Sequence, residues 1–174
     1  MVLATADIPQ ADQLWDVARV PEAIARGRRS TEEIASYIGM KVLRQGHYYT
    51  QAARILGLVA EGDPGEEPQL TTLGRSFARS NRVEQRTFLR RLLLQRDPTR
   101  SLVAALRASA GLDRRGIAAV LQQLAPLADS TAQRRAFTVA AWLCAVDLAA
   151  WQDGRLIYTG PEFLSSDVNA PYRA

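Results

Sequence analysis

Apolar residues recur every three or four positions through most of the chain, which predicts a mainly helical protein. The first predicted helix spans 13–24. Ser30 and Glu33 form a capping-box pattern that opens a second helix over 31–37. After a glycine turn, the pattern predicts a third helix over 41–56. These three helices form the first half of the predicted fold.

A hairpin pattern follows the third helix. Residues 58–60 and 70–71 are short apolar stretches with strand character, and the segment between them is rich in glycine, proline and acidic residues. A further helix is predicted over 72–80. Two helices joined by a tight turn and followed by a hairpin are typical of a winged helix-turn-helix.

The second half repeats this order. Helices are predicted over 83–95, 101–109, 114–124 and 131–151. Ser130 is the predicted cap of the last helix, and Trp142 and Trp151 are predicted core aromatics. Asp153-Gly154 then favours a tight hairpin turn before a strand over 156–158.

The two halves also align in sequence. The stretch TQAARILG from Thr50 matches TVAAWLCA from Thr138, and this alignment places Arg135 at the position of His47. We therefore predict a mainly α fold with short β-hairpins, arranged as a tandem winged helix-turn-helix. The predicted units are a first winged helix over 8–80, a second over 83–160, and a tail or linker over 161–174.

The helix over 41–56 is predicted to have two unlike faces. The residues predicted to face the core are Val42, Gly46, Tyr49, Ala53 and Leu56. Those predicted to face outward are Arg44, His47, Tyr48 and Gln51. Arginine pairs with guanine, glutamine pairs with adenine, and tyrosine contacts phosphate, so the outward set suits a DNA major groove. The alternative interpretation is that the aromatic residues only fill the core.

Other positions extend this hypothesis. Ser30 and Thr31 open a helix whose N-terminus suits a phosphate. Arg134 and Arg135 are expected to hold phosphate, or else to pack against a partner. The full set of candidate DNA-binding residues is Lys41, Arg44, Gln45, His47, Tyr48, Gln51, Ser30, Thr31, Arg134 and Arg135.

Charge is unevenly distributed along the 174 residues, although the net charge is only +4. Residues 75–115 carry eleven arginines against Glu84, Asp97 and Asp113. Such a segment attracts a polyanion through long-range electrostatic forces. An equally weighted alternative is that these arginines are ordinary solvated helix faces.

Composition argues against several other classes of function. Cys144 is the only cysteine and lies in an apolar run, so it indicates a buried residue in a reducing compartment. With one histidine and no cysteine cluster, we expect no metal or other cofactor. We see no signal peptide and no apolar run of membrane-spanning length, so we expect a cytoplasmic protein that does not enter membranes.

The first half resembles a winged-helix module associated with bacterial restriction endonucleases and related defence or regulatory proteins. The resemblance is carried by Ile8-Pro9, by Arg44-Gln45-Gly46 with Tyr48-Tyr49, and by the stretch LGLV that follows Ala52-Ala53-Arg54; RRAFTVAAWL resembles the second module of such proteins. It implies sequence-specific binding of duplex DNA, with Arg44, Gln45 and Tyr48 at the matching positions. Pro21 departs from the pattern, in which leucine is commoner.

A nuclease motif is absent. Lys41 is the only lysine, and Gly39 occupies the position two residues earlier where restriction nucleases carry an acid. We therefore predict a recognition module without enzymatic activity, with double-stranded DNA as its partner. A second copy of the chain or a nuclease subunit is a further candidate partner. The alternative function is a protein-interaction scaffold built on winged helices. Catalysis through Cys144 or His47 is the weakest hypothesis.

Overall fold

Short α-helices make up most of the chain, whose computed structural model describes residues 2–42, 44–63 and 65–161. A 3₁₀ turn at Thr5–Asp7 precedes the helices α1 Leu14–Val17, α2 Arg19–Ala25, α3 Thr31–Ile38, α4 Arg44–Ile55, α5 Thr72–Arg79, α6 Arg82–Gln95, α7 Thr99–Arg107, α8 Arg114–Leu124 and α9 Asp129–Ala145. The strands β1 Ala149–Gln152 and β2 Arg155–Tyr158 follow. The predicted class, mainly α with a short β-hairpin, is confirmed.

The first predicted helix is divided into α1 and α2 at Ala18. Pro21 lies in the first turn of α2 and is buried. The first four N–H groups of a helix have no partner within it, so a proline there sacrifices no hydrogen bond. The departure from the expected leucine therefore coincides with the start of a new short helix.

The capping box at the start of α3 is confirmed. The Glu33 backbone N–H donates to the Ser30 hydroxyl at 3.2 Å, and the Glu33 carboxylate accepts from the backbone N–H of Ser30. Hydrogen bonds from the backbone N–H groups of Arg29 and Ser30 lower the pKa of Glu33. At the other end of α3, Gly39 adopts a left-handed φ of 83° and turns the chain toward α4.

We expect Ser30→Ala to lower the free energy of unfolding by about 1 kcal/mol, because the cap on α3 is lost. Ser130→Ala is the matched control. The prediction that Ser130 caps the last helix is wrong, since α9 begins at Asp129 and its N-cap is Ala128. Urea titration of both variants measures the difference, and an equal loss in the two would contradict the capping role of Ser30.

The helices α3 and α4 cross at closest range beside Gly46. A Cβ atom added there would overlap the carbonyl oxygen of Thr31 and would lie 2.9 Å from the Cβ of Ala35. The predicted inward position of Gly46 is therefore confirmed. The missing side chain at Gly46 lets α3 and α4 approach each other this closely.

The predicted hairpins differ in extent. After α4, pairing is reduced to an isolated bridge between Val59 and Leu70. After α9, β1 and β2 pair antiparallel, and the predicted turn at Asp153-Gly154 is present, with positive φ angles of 48° and 76°. Leu112, between α7 and α8, adds a further bridge to Leu156.

The long last helix ends earlier than predicted. Its C-terminus is at Ala145, and Asp147 then adopts a positive φ of 57° and pairs with Arg86 at 2.8 Å. Trp142 is 0% exposed, as predicted for a core residue. Trp151 lies on β1 and is 43% exposed, so its predicted core position is wrong.

One continuous hydrophobic core contains residues from both predicted units. An N-terminal segment, residues 3–15, ties them together, and we call it the strap. Arg135 of α9 donates to the Ile8 carbonyl, and Trp142 Nε1 donates to the Ala11 carbonyl at 2.8 Å. Trp15 Nε1 donates in turn to the Ala145 carbonyl at 3.2 Å. The division at 80–83 stays a prediction, and all of the tail except Pro161 lies outside the described residues.

Candidate nucleic-acid interface

The helix α4 has one buried face and one exposed face. Its buried residues are Gly46, Tyr49, Thr50, Ala52 and Ala53. Arg44, Gln45 and His47 are exposed, while Tyr48 and Gln51 are half-buried. Val42 precedes the helix and is 57% exposed, so its predicted inward position is wrong.

The exposed end of α4 carries cationic and aromatic side chains. The Arg44 guanidinium lies 5.9 Å from the centre of the Tyr48 ring. His47 meets the same ring edge-on, with the two ring centres 6.2 Å apart. Lys41 is exposed just before the helix, and the first turn of α4 contains no acidic residue. This surface offers hydrogen-bond donors and positive charge to a ligand.

The start of α3 is less suited to an anion than the sequence indicated. Ser30 and Thr31 are half-buried, and the Ser30 hydroxyl already accepts the Glu33 N–H. Glu32 and Glu33 are both exposed at this terminus. Two carboxylates repel a phosphate there, so we leave Ser30 and Thr31 out of the interface proposed below.

The neighbouring residues Arg134 and Arg135 of α9 differ in their exposure to solvent. Arg134 is exposed, whereas Arg135 is only 9% exposed and donates to the Ile8 carbonyl. Burial, followed by repulsion from Arg134, lowers the pKa of Arg135. The structure therefore places one arginine of the pair on the surface and the other under the strap. The other expectation for this helix, packing against a partner, stays a prediction.

The strap also lines a small cleft against α4. The cleft has a volume of about 100 Å³ and is lined by Ala6, Ile8, Pro9, Gln10, His47, Tyr48, Gln51, Ala52 and Ile55. Sequence reasoning missed this cleft because the two walls are some forty residues apart in the chain. The Ile8-Pro9 pair was the only local signal at the strap.

Many arginines of the 75–115 segment have partners within the fold. Arg82 stacks 3.2 Å from the centre of the Trp15 ring, and Arg90 Nε donates to the Val146 carbonyl at 2.6 Å. The other engaged arginines are Arg75, Arg86, Arg100, Arg107 and Arg114. These contacts favour structural roles over a continuous phosphate path, although Arg79, Arg91 and Arg115 are exposed.

The pattern of buried residues aligns α4 with α9 differently from the alignment made on sequence. The buried positions of α4 recur in α9 shifted by 86 residues, so that Gly46 corresponds to Ala132 and Ala53 to Val139. In this register Tyr49 corresponds to Arg135, which corrects the alignment of Arg135 with His47. Each predicted unit also has a similar backbone hydrogen bond after its long helix. Thr71 N donates to the Leu58 carbonyl, and Thr159 N donates to the Leu148 carbonyl.

Cys144 and the potential metal ligands were also compared with the requirements of catalytic and metal sites. Cys144 is half-buried, and burial raises the pKa of its thiol, which disfavours a nucleophilic thiolate. In the described parts of the chain, His, Cys, Asp and Glu side chains form no group suited to hold a metal ion. In the same residues, no helix combines the length and apolar character needed to cross a bilayer.

Comparison with known proteins assigns the chain to a family. No curated protein and no solved structure matches the chain. The family described as a domain of unknown function, DUF7226, matches residues 17–146. The match starts at the end of α1 and stops just after α9, so it includes helices of both predicted units and leaves out the strap and the β1–β2 hairpin. The chain belongs to the DUF7226 family.

Proposed function

We propose that the protein binds double-stranded DNA and places the exposed end of α4 in the major groove. The observation that carries the proposal is the joint exposure of Arg44, Gln45 and His47 on one helix whose opposite face is buried in the core. A merely solvated helix face favours glutamate and lysine. This face instead offers the side chains that pair with base edges, Arg with guanine and Gln with adenine.

The order of elements supports a winged-helix interpretation of each unit. In the second unit, α7, Leu112, α8, α9 and the β1–β2 hairpin follow one another as helix, strand, helix, helix and wing. In the first, α2, α3 and α4 precede the Val59–Leu70 bridge. In such folds the last helix before the wing enters the groove, which is the place of α4.

The two units have different roles in this proposal. The face of α9 that corresponds to the buried face of α4 includes Arg135 and packs under the strap. In the same register Ser130 stands at the position of Arg44, so the outward face of α9 has no counterpart of that arginine. We therefore assign base recognition to α4 and an architectural role to α9. The resemblance to winged-helix modules of restriction endonucleases agrees with a recognition module that brings no chemistry of its own and that works beside a nuclease subunit or a second copy.

Gel-shift titration with random and selected duplexes tests the proposal. Phosphate contacts release counterions, so the logarithm of the affinity should fall linearly with the logarithm of the salt concentration. In-vitro selection from a random duplex pool should then enrich one sequence. Failure to bind any duplex at low salt, or an affinity that does not depend on salt, would reject DNA binding.

Replacing Arg44 separates base reading from phosphate contact. We expect Arg44→Ala to reduce the discrimination between selected and random duplexes by about 1–3 kcal/mol. Arg44→Lys is the matched control, because lysine keeps the charge and loses the bidentate geometry. It should retain the salt dependence and still lose discrimination. Equal weakening on all duplexes would make Arg44 a phosphate contact.

A protein-interaction scaffold is the second candidate, favoured by exposed apolar side chains. Val83 is 77% exposed beside a shallow apolar groove on α6 that also includes Phe88. Phe137 and Trp151 are likewise exposed. Light scattering after size exclusion tests this function. A stable oligomer whose size does not change when DNA is added would favour the scaffold over DNA binding.

A further inference from the structure

The cleft between the strap and α4, which we call the Tyr48 cleft, has walls suited to an anion. Its polar lining consists of Gln10, His47, Tyr48 and Gln51, all of which can donate hydrogen bonds. The residues described as lining it include no Asp or Glu. Asp7 follows the wall residue Ala6 in the chain, and its carboxylate already accepts the backbone N–H of Ala4 at 2.8 Å.

A buried cation lies behind this cleft. Arg135 donates to the carbonyl of Ile8, which is itself a wall residue of the cleft, and Tyr48, another wall residue, is close enough to raise the pKa of Arg135. In the described parts of the chain, no carboxylate stands within ion-pair distance of this guanidinium. A buried charge without a counter-charge is costly, so an anion at the cleft would stabilise the arrangement.

The size of the cleft limits what it can hold. Pockets for metabolites or drug-sized ligands are about 300–1,000 Å³. The Tyr48 cleft, at about 100 Å³, has room for a group of a few atoms. A single phosphate group attached to a polymer that runs along the surface fits this volume, whereas a whole nucleotide does not.

We propose that the Tyr48 cleft holds one backbone phosphate of the bound DNA, with Arg135 supplying positive charge from behind and Arg134 from the exposed surface. This inference rests on the DNA-binding function proposed above. It assigns base contacts and a phosphate contact to different residues of α4. Arg44 and Gln45, at the exposed end, read bases. Tyr48, half-buried against the strap, fixes the position of the helix on the DNA backbone and reads no base.

Two variants test the site without disturbing the core. Arg134→Ala removes an exposed charge, and Tyr48→Phe removes a hydroxyl while keeping the ring beside Arg44. For Arg134→Ala we expect the slope of log affinity against log salt to become shallower by about 0.9, the value for one phosphate contact. For Tyr48→Phe we expect a roughly three- to tenfold weaker affinity, the cost of one hydrogen bond. Both variants should weaken all duplexes equally.

Arg100→Ala is the control for charge, because Arg100 is paired with Asp97 at 2.5 Å. It should leave the salt slope unchanged. If the wild-type chain binds DNA and both cleft variants bind like it, the phosphate site is wrong and the proposed function stands. If Tyr48→Phe changes the preference among duplexes, Tyr48 reads a base and the site is also wrong. If the wild-type chain binds no duplex, both proposals fail together.

Discussion

Trp142→Ala should lower the free energy of unfolding by about 3–5 kcal/mol, the range for removing a large buried aromatic side chain. Trp142 is fully buried in α9, and its Nε1 donates to the Ala11 carbonyl at 2.8 Å. The substitution therefore opens a cavity and also leaves a buried acceptor without its donor. Chemical denaturation followed by circular dichroism measures the loss.

Trp151→Ala is the matched control for this effect. Trp151 is exposed on β1, so its removal should cost less than about 1 kcal/mol. Comparable losses in the two variants would mean that Trp142 does not hold the strap to α9. A second check is Trp142→Phe, which fills most of the volume and removes only the hydrogen bond, and should show a smaller loss than Trp142→Ala.

Gly46→Ala should lower the free energy of unfolding by about 3 kcal/mol, the upper end of the usual cost of overpacking. The added Cβ would overlap the Thr31 carbonyl oxygen, which belongs to the backbone and moves only with α3. Because α3 and α4 must separate to make room, DNA affinity should fall as well. Thermal unfolding and gel-shift titration of the same preparation measure both effects.

Gln45→Ala, one residue earlier on the exposed face of α4, is the control for stability and should change the free energy of unfolding by less than about 0.5 kcal/mol. If the Gly46→Ala variant is as stable as the Gln45→Ala variant, α3 and α4 can move apart at their contact at little energetic cost. The position of α4 would then depend on other contacts, such as those of the buried Tyr49.

Features encoded by neighbouring residues could be predicted from the sequence. The cap at Ser30 depends on Glu33 three residues away, and the hairpin turn depends on the dipeptide Asp153-Gly154. The helix α8 was predicted with its observed bounds because Asp113 caps it through the Gly116 N–H. In each case the deciding contact spans less than one helical turn, so the local pattern contains it.

Features set by distant residues could not be predicted in this way. The end of α9 has no glycine; Asp147 turns the chain there with the help of Arg86 and Arg90, more than fifty residues earlier. Without that contact the apolar pattern continues through Trp151 and indicates helix. Arg135 likewise became buried because Ile8, 127 residues away, lies over it.

In the candidate site, too, some features could be predicted from local sequence and others depend on distant residues. The exposure of Arg44 and His47 follows from the helical period once Tyr49 and Ala53 are assigned to the core. The half-burial of Tyr48 and Gln51 does not, because it is caused by the strap rather than by the helix. Periodicity predicts which face of a helix turns outward, but not whether another segment of the chain crosses that face.

The difference between the outward faces of α4 and α9 has a consequence for the length of DNA that one molecule can specify. Since Ser130 stands on α9 where α4 carries Arg44, each molecule in our proposal presents α4 alone to the major groove. Contact with two successive turns of the duplex on the same side would then require two molecules, with their α4 helices about 34 Å apart. A palindromic target, with its half-sites centred one turn of DNA apart, is the arrangement that such a pair would select.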